Sequence, residues 1–302
     1  MGILLLMGNV VREEKWLRWM VWVFLGIGAI YLTANWSPIG GVVVDRFNGK
    51  AVSSLFYTWG VALALSMWLF NDSLKGWKRF GMGVFTALAL GNAFLLMRGS
   101  ASIWLPAMIV MVVLVWLKSW RVGVVVTLMV GAVALWQYEA IYARVMGVES
   151  YSALTRAATW PIMYELVKAS PIVGLGPSNY YFYTPLFSLM GYYVEFNSHN
   201  NYWDLAVQTG LVGLGLLIWV AAALGWTGMK LRKAVKTVFQ RGYVNAAIAG
   251  LVGTLAAGML GDWFMPFVYN IGFDGFRGAA IAWLFLGGMM AVEGMVKEGQ
   301  GE

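Results

Sequence analysis

Apolar residues run along this chain in long uninterrupted blocks. Segments near 17–35, 51–70, 80–97, 101–117, 122–143, 204–228, 243–265 and 275–293 each approach the roughly 20 apolar residues that carry a helix across about 30 Å of hydrocarbon. Eight spans are therefore expected, in an all-α, polytopic membrane bundle forming one integral domain over residues 1–302. The opening MGILLLMGNV is apolar over only half a span. It lacks the charged start and small-residue cleavage site of a signal peptide, so it predicts the stub of a helix.

The polar breaks between blocks are short, with one exception. Residues 144–203 form a single long connection, expected to be an external loop that carries the active site. It contains the helix-like SALTRAATWPIMYELVKAS, the breaker-rich PIVGLGPSN, the aromatic YYFYTPLFSLMGYYVEF and then the turn NSHNN that leads into the next block. The tyrosines between Tyr164 and Tyr193 suit a loop docked at headgroup level, where rings with a polar edge are favoured.

Composition narrows the function classes. With 60% hydrophobic and 12% charged residues, the chain has more apolar surface than one soluble core could hide. An N-terminus placed inside puts most of the 21 basic residues on the cytoplasmic side, so the net charge of +7 reflects topology and implies no nucleic acid partner. The run KLRKAVKTVFQR fits the same role and can also meet anionic membrane lipids. The absence of cysteine excludes disulfide and thiolate chemistry, and a single histidine argues against a transition-metal centre. Neither a metal nor a cofactor is expected.

A few residues stand out chemically. Arg98 ends the third block, where it is either a snorkelling anchor or a charge pinned at the tip of a helical hairpin. Arg156 and Trp160 are four apart and share a helix face, but Pro161 predicts that the patch divides into two short helices. The glycines of PIVGLGPSN suggest a shaped turn more than a phosphate cradle. His199 has three readings: a hydrogen-bonded structural residue, a pH sensor, or a general acid or base with an ordinary pKa of about 6.5. Asn200, Asn201 and Asp204 follow it closely enough to orient the ring, and Asp204 sits one turn into a predicted span. Asp262 and Arg277 are expected to pair across the last external loop, with Glu165 and Glu195 solvated.

Four elements in order, RGSASIW (98–104), RAATW (156–160), SPIVGLGPSNY (170–180) and SHNNYWDLAVQTGLVGLGLL (198–217), resemble the O-antigen ligase and polymerase superfamily of bacterial membrane glycosyltransferases. The resemblance covers roughly residues 80–265. It implies a metal-independent, multi-pass protein of the bacterial inner membrane whose site faces the periplasm. It also implies a glycan donor linked to undecaprenyl pyrophosphate, and a lipid A-core or glycan acceptor. Carried over by motif, Arg98 and Arg156 would bind the pyrophosphate and His199 would stand at the catalytic centre, supported by Trp160, Asn200 and Asp204. Members of the family usually have ten or more spans, against eight here. A ligase is slightly preferred over a polymerase. A non-catalytic lipid-linked glycan binding protein or a transporter is the reading from another class, although no internal repeat is evident.

Overall fold

A computed structural model describes residues 1–37, 40–47, 53–140, 151–267, 269, 272 and 274–298. The helices are α1 (Gly2–Val10), α2 (Glu14–Ala34), α3 (Gly41–Phe47), α4 (Ser54–Phe70), α5 (Gly76–Gly91), α6 (Ala101–Lys118), α7 (Trp120–Trp136), α8 (Tyr151–Ala169), α9 (Asn201–Ala234), α10 (Val238–Gly258) and α11 (Asp274–Glu298). A π turn over Asn92–Leu96 extends α5, and a 3-10 turn covers Tyr180–Leu186. There is no strand among the described residues beyond one isolated bridge, Leu189 to Tyr192.

The polytopic all-α bundle expected from the apolar blocks is what the chain forms. Among the described residues five helices are long and apolar enough to span a bilayer: Glu14–Ala34, Gly76–Leu96, Ala101–Lys118, Asn201–Ala234 and Gly275–Glu298. The count of eight is not reached by that measure. Ser54–Phe70 and Trp120–Trp136 are apolar but shorter, and α10 is not among the five. The ends of the expected spans at residues 51–52 and 141–143, and the first residues of the expected external loop, lie outside the described residues.

The middle of the bundle is α4 packed on α10, with α6 and α11 against both. Nearly all of α4 is buried, and α10 offers it a surface of small residues. A methyl group at Gly250 would lie 2.7 Å from the Trp59 ring, so the backbones meet closely, as in helix pairs that associate in lipid. Polar groups of α4 bond to α10 across this contact. Trp59 Nε1 donates to Thr254 Oγ1 at 3.0 Å, and Ser66 Oγ to the Gly242 carbonyl at 2.6 Å. At one end of the bundle, basic side chains capture neighbouring carbonyls: Lys118 Nζ reaches Leu69 O and Arg232 reaches Leu117 O, both at 2.7 Å. The stub predicted at the N-terminus is α1, which packs along α11.

Candidate active site

The turn that carries His199 lies at the end of the bundle opposite those basic contacts. The first turn of α9 fixes its position. Asn200 Oδ1 accepts from the backbone N–H groups of Tyr202 at 2.9 Å and Trp203 at 3.3 Å, a helix cap worth about 1 kcal/mol. Its Nδ2 donates to Met259 O at 3.2 Å, while Asn201 Nδ2 donates to Met265 O at 2.6 Å. The two asparagines thus tie the start of α9 to the segment between α10 and α11. His199 itself has φ +50°, a left-handed conformation uncommon for a residue with a side chain.

Under the histidine lies a buried polar network. Ser198 Oγ donates to Asp204 Oδ1 at 2.6 Å, and the Tyr180 hydroxyl donates to the same oxygen. Asn197 Nδ2 donates to Asp262 Oδ2. Asn197, Ser198, Asn200, Asn201, Asp204, Asp262 and Tyr180 are all at least nine-tenths buried. Burial and the neighbouring Asp204 carboxylate push the Tyr180 phenol far up, so it stays a neutral donor.

Arg156, His199 and Asp262 form one electrostatic group. Burial lowers the His199 pKa first; the Asp262 carboxylate acts to raise it, and the Arg156 guanidinium to lower it. Burial also lowers Arg156, with Asp262 opposing. A guanidinium remains cationic through such a shift, whereas the half-buried imidazole is neutral near pH 7. Arg156 Nε is buried without a hydrogen-bond partner. The arrangement combines a fixed positive charge, a neutral imidazole and a carboxylate able to steady that imidazole once protonated.

The loop ahead of the network is clasped into α9. Leu175 N donates to Val207 O at 2.8 Å, Gly176 N to Gln208 O at 3.0 Å and Leu211 N to Pro171 O at 2.8 Å. α9 breaks at Gly210, with φ 67° and ψ −170°, and the loop supplies partners to backbone groups around that break. Glycine is required on both sides: a Cβ at Gly174 would fall 2.4 Å from the Gln208 carbonyl carbon, and one at Gly210 would fall 2.1 Å from Ile172 O. PIVGLG and QTG are therefore two halves of one clasp, which confirms the shaped turn.

Other sequence expectations fare differently. Pro161 lies within the single helix α8, so the patch is not two short helices. Trp160 shares α8 with Arg156 but is exposed, while Arg156 is half-buried. Arg98 is exposed just beyond the π turn, on the wall of an apolar cavity of about 680 Å³ between α6 and α7, with Phe94, Trp104, Met108 and Val130. The structure thus brings Arg156 into the electrostatic surroundings of His199, sets Asn200 and Asp204 into the supporting turn, and places Arg98 on a cavity whose lining includes none of them. Glu165 is exposed and pairs with Lys168 at 2.7 Å. Asp262 is the residue that sequence reasoning missed. It accepts from Asn197 and bears on His199 and Arg156.

Residues 84–218 match the family model described as O-antigen ligase. That stretch holds Arg98, Arg156, His199 and Asp204 and stops short of Asp262. No curated protein matches the chain.

Proposed function

We propose, from the match of residues 84–218 to the O-antigen ligase family model, that this chain transfers a glycan from undecaprenyl pyrophosphate to an acceptor hydroxyl at the outer face of the inner membrane. A lipid A-core sugar is the preferred acceptor. The observation that carries the reading is the group of Arg156, His199 and Asp262, with the Arg156 Nε donor unpartnered.

In the proposed reaction the acceptor oxygen attacks the anomeric carbon, and the bond from that carbon to the pyrophosphate oxygen breaks. His199, neutral at working pH, takes the hydroxyl proton, and Asp262 stabilises the resulting imidazolium. The departing pyrophosphate gains negative charge, which Arg156 meets with a planar fork of charge-assisted donors in the role a metal ion fills elsewhere. Arg98 binds the pyrophosphate of the lipid-borne donor at the wall of its own cavity. An apolar cavity with a guanidinium on its wall suits an anionic head on a hydrocarbon chain. Asn200 and Asp204 hold the turn that presents His199, and Trp160 flanks Arg156 on α8.

The test is transfer by the purified chain in liposomes containing labelled undecaprenyl-pyrophosphate oligosaccharide, with and without lipid A-core, with the products resolved by size. Label should move only onto the added acceptor and should stay on the donor in Arg98→Ala and Arg156→Ala. A ladder formed without acceptor would make the chain a polymerase. Donor binding without turnover in either condition would replace the enzyme by a lipid-linked glycan binding protein.

A further inference from the structure

A row of aromatic rings leads outward from the buried network. Tyr180, held by Asp204, stacks on Phe267 with centroids 5.1 Å apart and planes 22° apart. Phe267 meets Tyr181 at 5.9 Å, and Tyr181 lies flat against Tyr269 at 4.7 Å and 8°. Phe182 closes the row edge-on to Tyr269 at 5.6 Å. The inner rings are buried, but Phe182 is 56% and Tyr269 47% exposed. Rings fixed by stacking and still open to the exterior make a rigid, preorganised surface. Thr184 Oγ1 donates to Val194 O at 3.4 Å and accepts from Phe196 N at 3.2 Å, so the exposed Glu195 between them lies beside the turn that carries Tyr181 and Phe182.

We propose that the rings of Tyr181, Phe182 and Tyr269, with Glu195, form a binding subsite for a pyranose of the acceptor glycan; the assignment of that glycan as acceptor rests on the transfer reaction proposed above. A pyranose has an apolar C–H face that lies on an aromatic ring and a rim of hydroxyls that donate to a carboxylate. The platform has both parts. A surface made to sit among anionic lipid headgroups would favour Lys or Arg at this position over Glu195. The acceptor is the substrate placed here because the row begins at Tyr180, whose hydroxyl also accepts from Ser198 N at 3.4 Å, next to His199. His199 is the group that must meet the acceptor hydroxyl. A sugar bound on the outer rings holds the chain of sugars in register with the imidazole without touching the reacting atoms.

The test uses the full chain in lipid nanodiscs and soluble core oligosaccharide freed from lipid A by mild acid, read by saturation-transfer NMR. Saturation of the protein's aromatic protons should pass to sugar C–H protons in the native chain and in Tyr269→Phe, and should be lost in the Phe182→Ala, Tyr269→Ala double variant. This readout needs no turnover, so it stands or falls apart from the transfer reaction. In the transfer assay the double variant should raise the acceptor KM by about tenfold with kcat and donor KM unchanged. Because the chain has no cysteine, a spin label on Phe182→Cys reports the surroundings of the platform, and it should be reached by a water-soluble nickel complex in preference to oxygen. Equal saturation transfer in the double variant, none in the native chain, or a label favouring oxygen as a bilayer-inserted site does, would overturn the proposal.

Discussion

The centre of the bundle and the turn around His199 are built in opposite ways. Where α4 meets α10, small residues let two helices approach and large rings fill the gaps; polar side chains bond from one helix to the other, as Trp59 does to Thr254. Around His199 seven polar side chains are packed together, and several serve more than one bond. The first region can be filled by any well-shaped apolar set. The second holds charge in a dry place, which costs free energy unless each group is answered by another. A buried arginine donor with no partner, beside a histidine and a carboxylate, therefore points to use, whereas a buried leucine points only to packing.

This contrast predicts that activity and stability will separate. The largest effect belongs to His199→Gly: turnover should fall by about 10²–10⁴, while thermal stability holds or rises because glycine accepts the φ of +50° without strain. Transfer rates and melting curves on the same preparation check both halves. Arg156→Ala should lose about 10²–10³ in rate at near-native stability. Arg156→Lys should recover only part of that loss, since an ammonium lacks the planar fork.

The reverse pattern is expected in the core. A Cβ at Gly253 would stand 2.5 Å from Val110 Cγ2 and 2.6 Å from Thr58 Cγ2. Gly253→Leu should therefore cost about 1–3 kcal/mol of stability, with the rate per folded molecule retained, as denaturation and active-site counting will show. The smallest effect is on pH. Burial holds the His199 pKa below its ordinary value, so the acid limb of kcat/KM should lie below about 6.5. Asp262 raises that pKa, so Asp262→Asn should move the limb to lower pH; a shift upward would contradict the grouping.

The two regions also differ in how far the sequence reveals them. Block length and composition predict membrane helices because the bilayer imposes one length on every span, and α2, α6, α9 and α11 follow from that alone. Ser54–Phe70 and Trp120–Trp136 fall short of a full span. Pro161 misled because a proline is tolerated inside a helix when the surrounding structure holds it, as α8 does. Asn200 was singled out beside His199 and not as a cap, although its position before an apolar run is the local signal for one. Asp262 was not, because its bond to Asn197 joins residues 65 apart in sequence, and no local period marks such a pair. The PIVGLG and QTG clasp was half legible. The glycines marked a turn, but the helix break they fit into appears only when both segments are seen together.

Single-turnover transfer in liposomes by the native chain, His199→Ala, Arg156→Ala and the double variant tests most directly whether these residues form one reacting centre. If the proton and the leaving group are handled by one unit, the double variant should be little slower than the slower single variant. Losses that multiply would mean that Arg156 and His199 act independently, and would contradict the account.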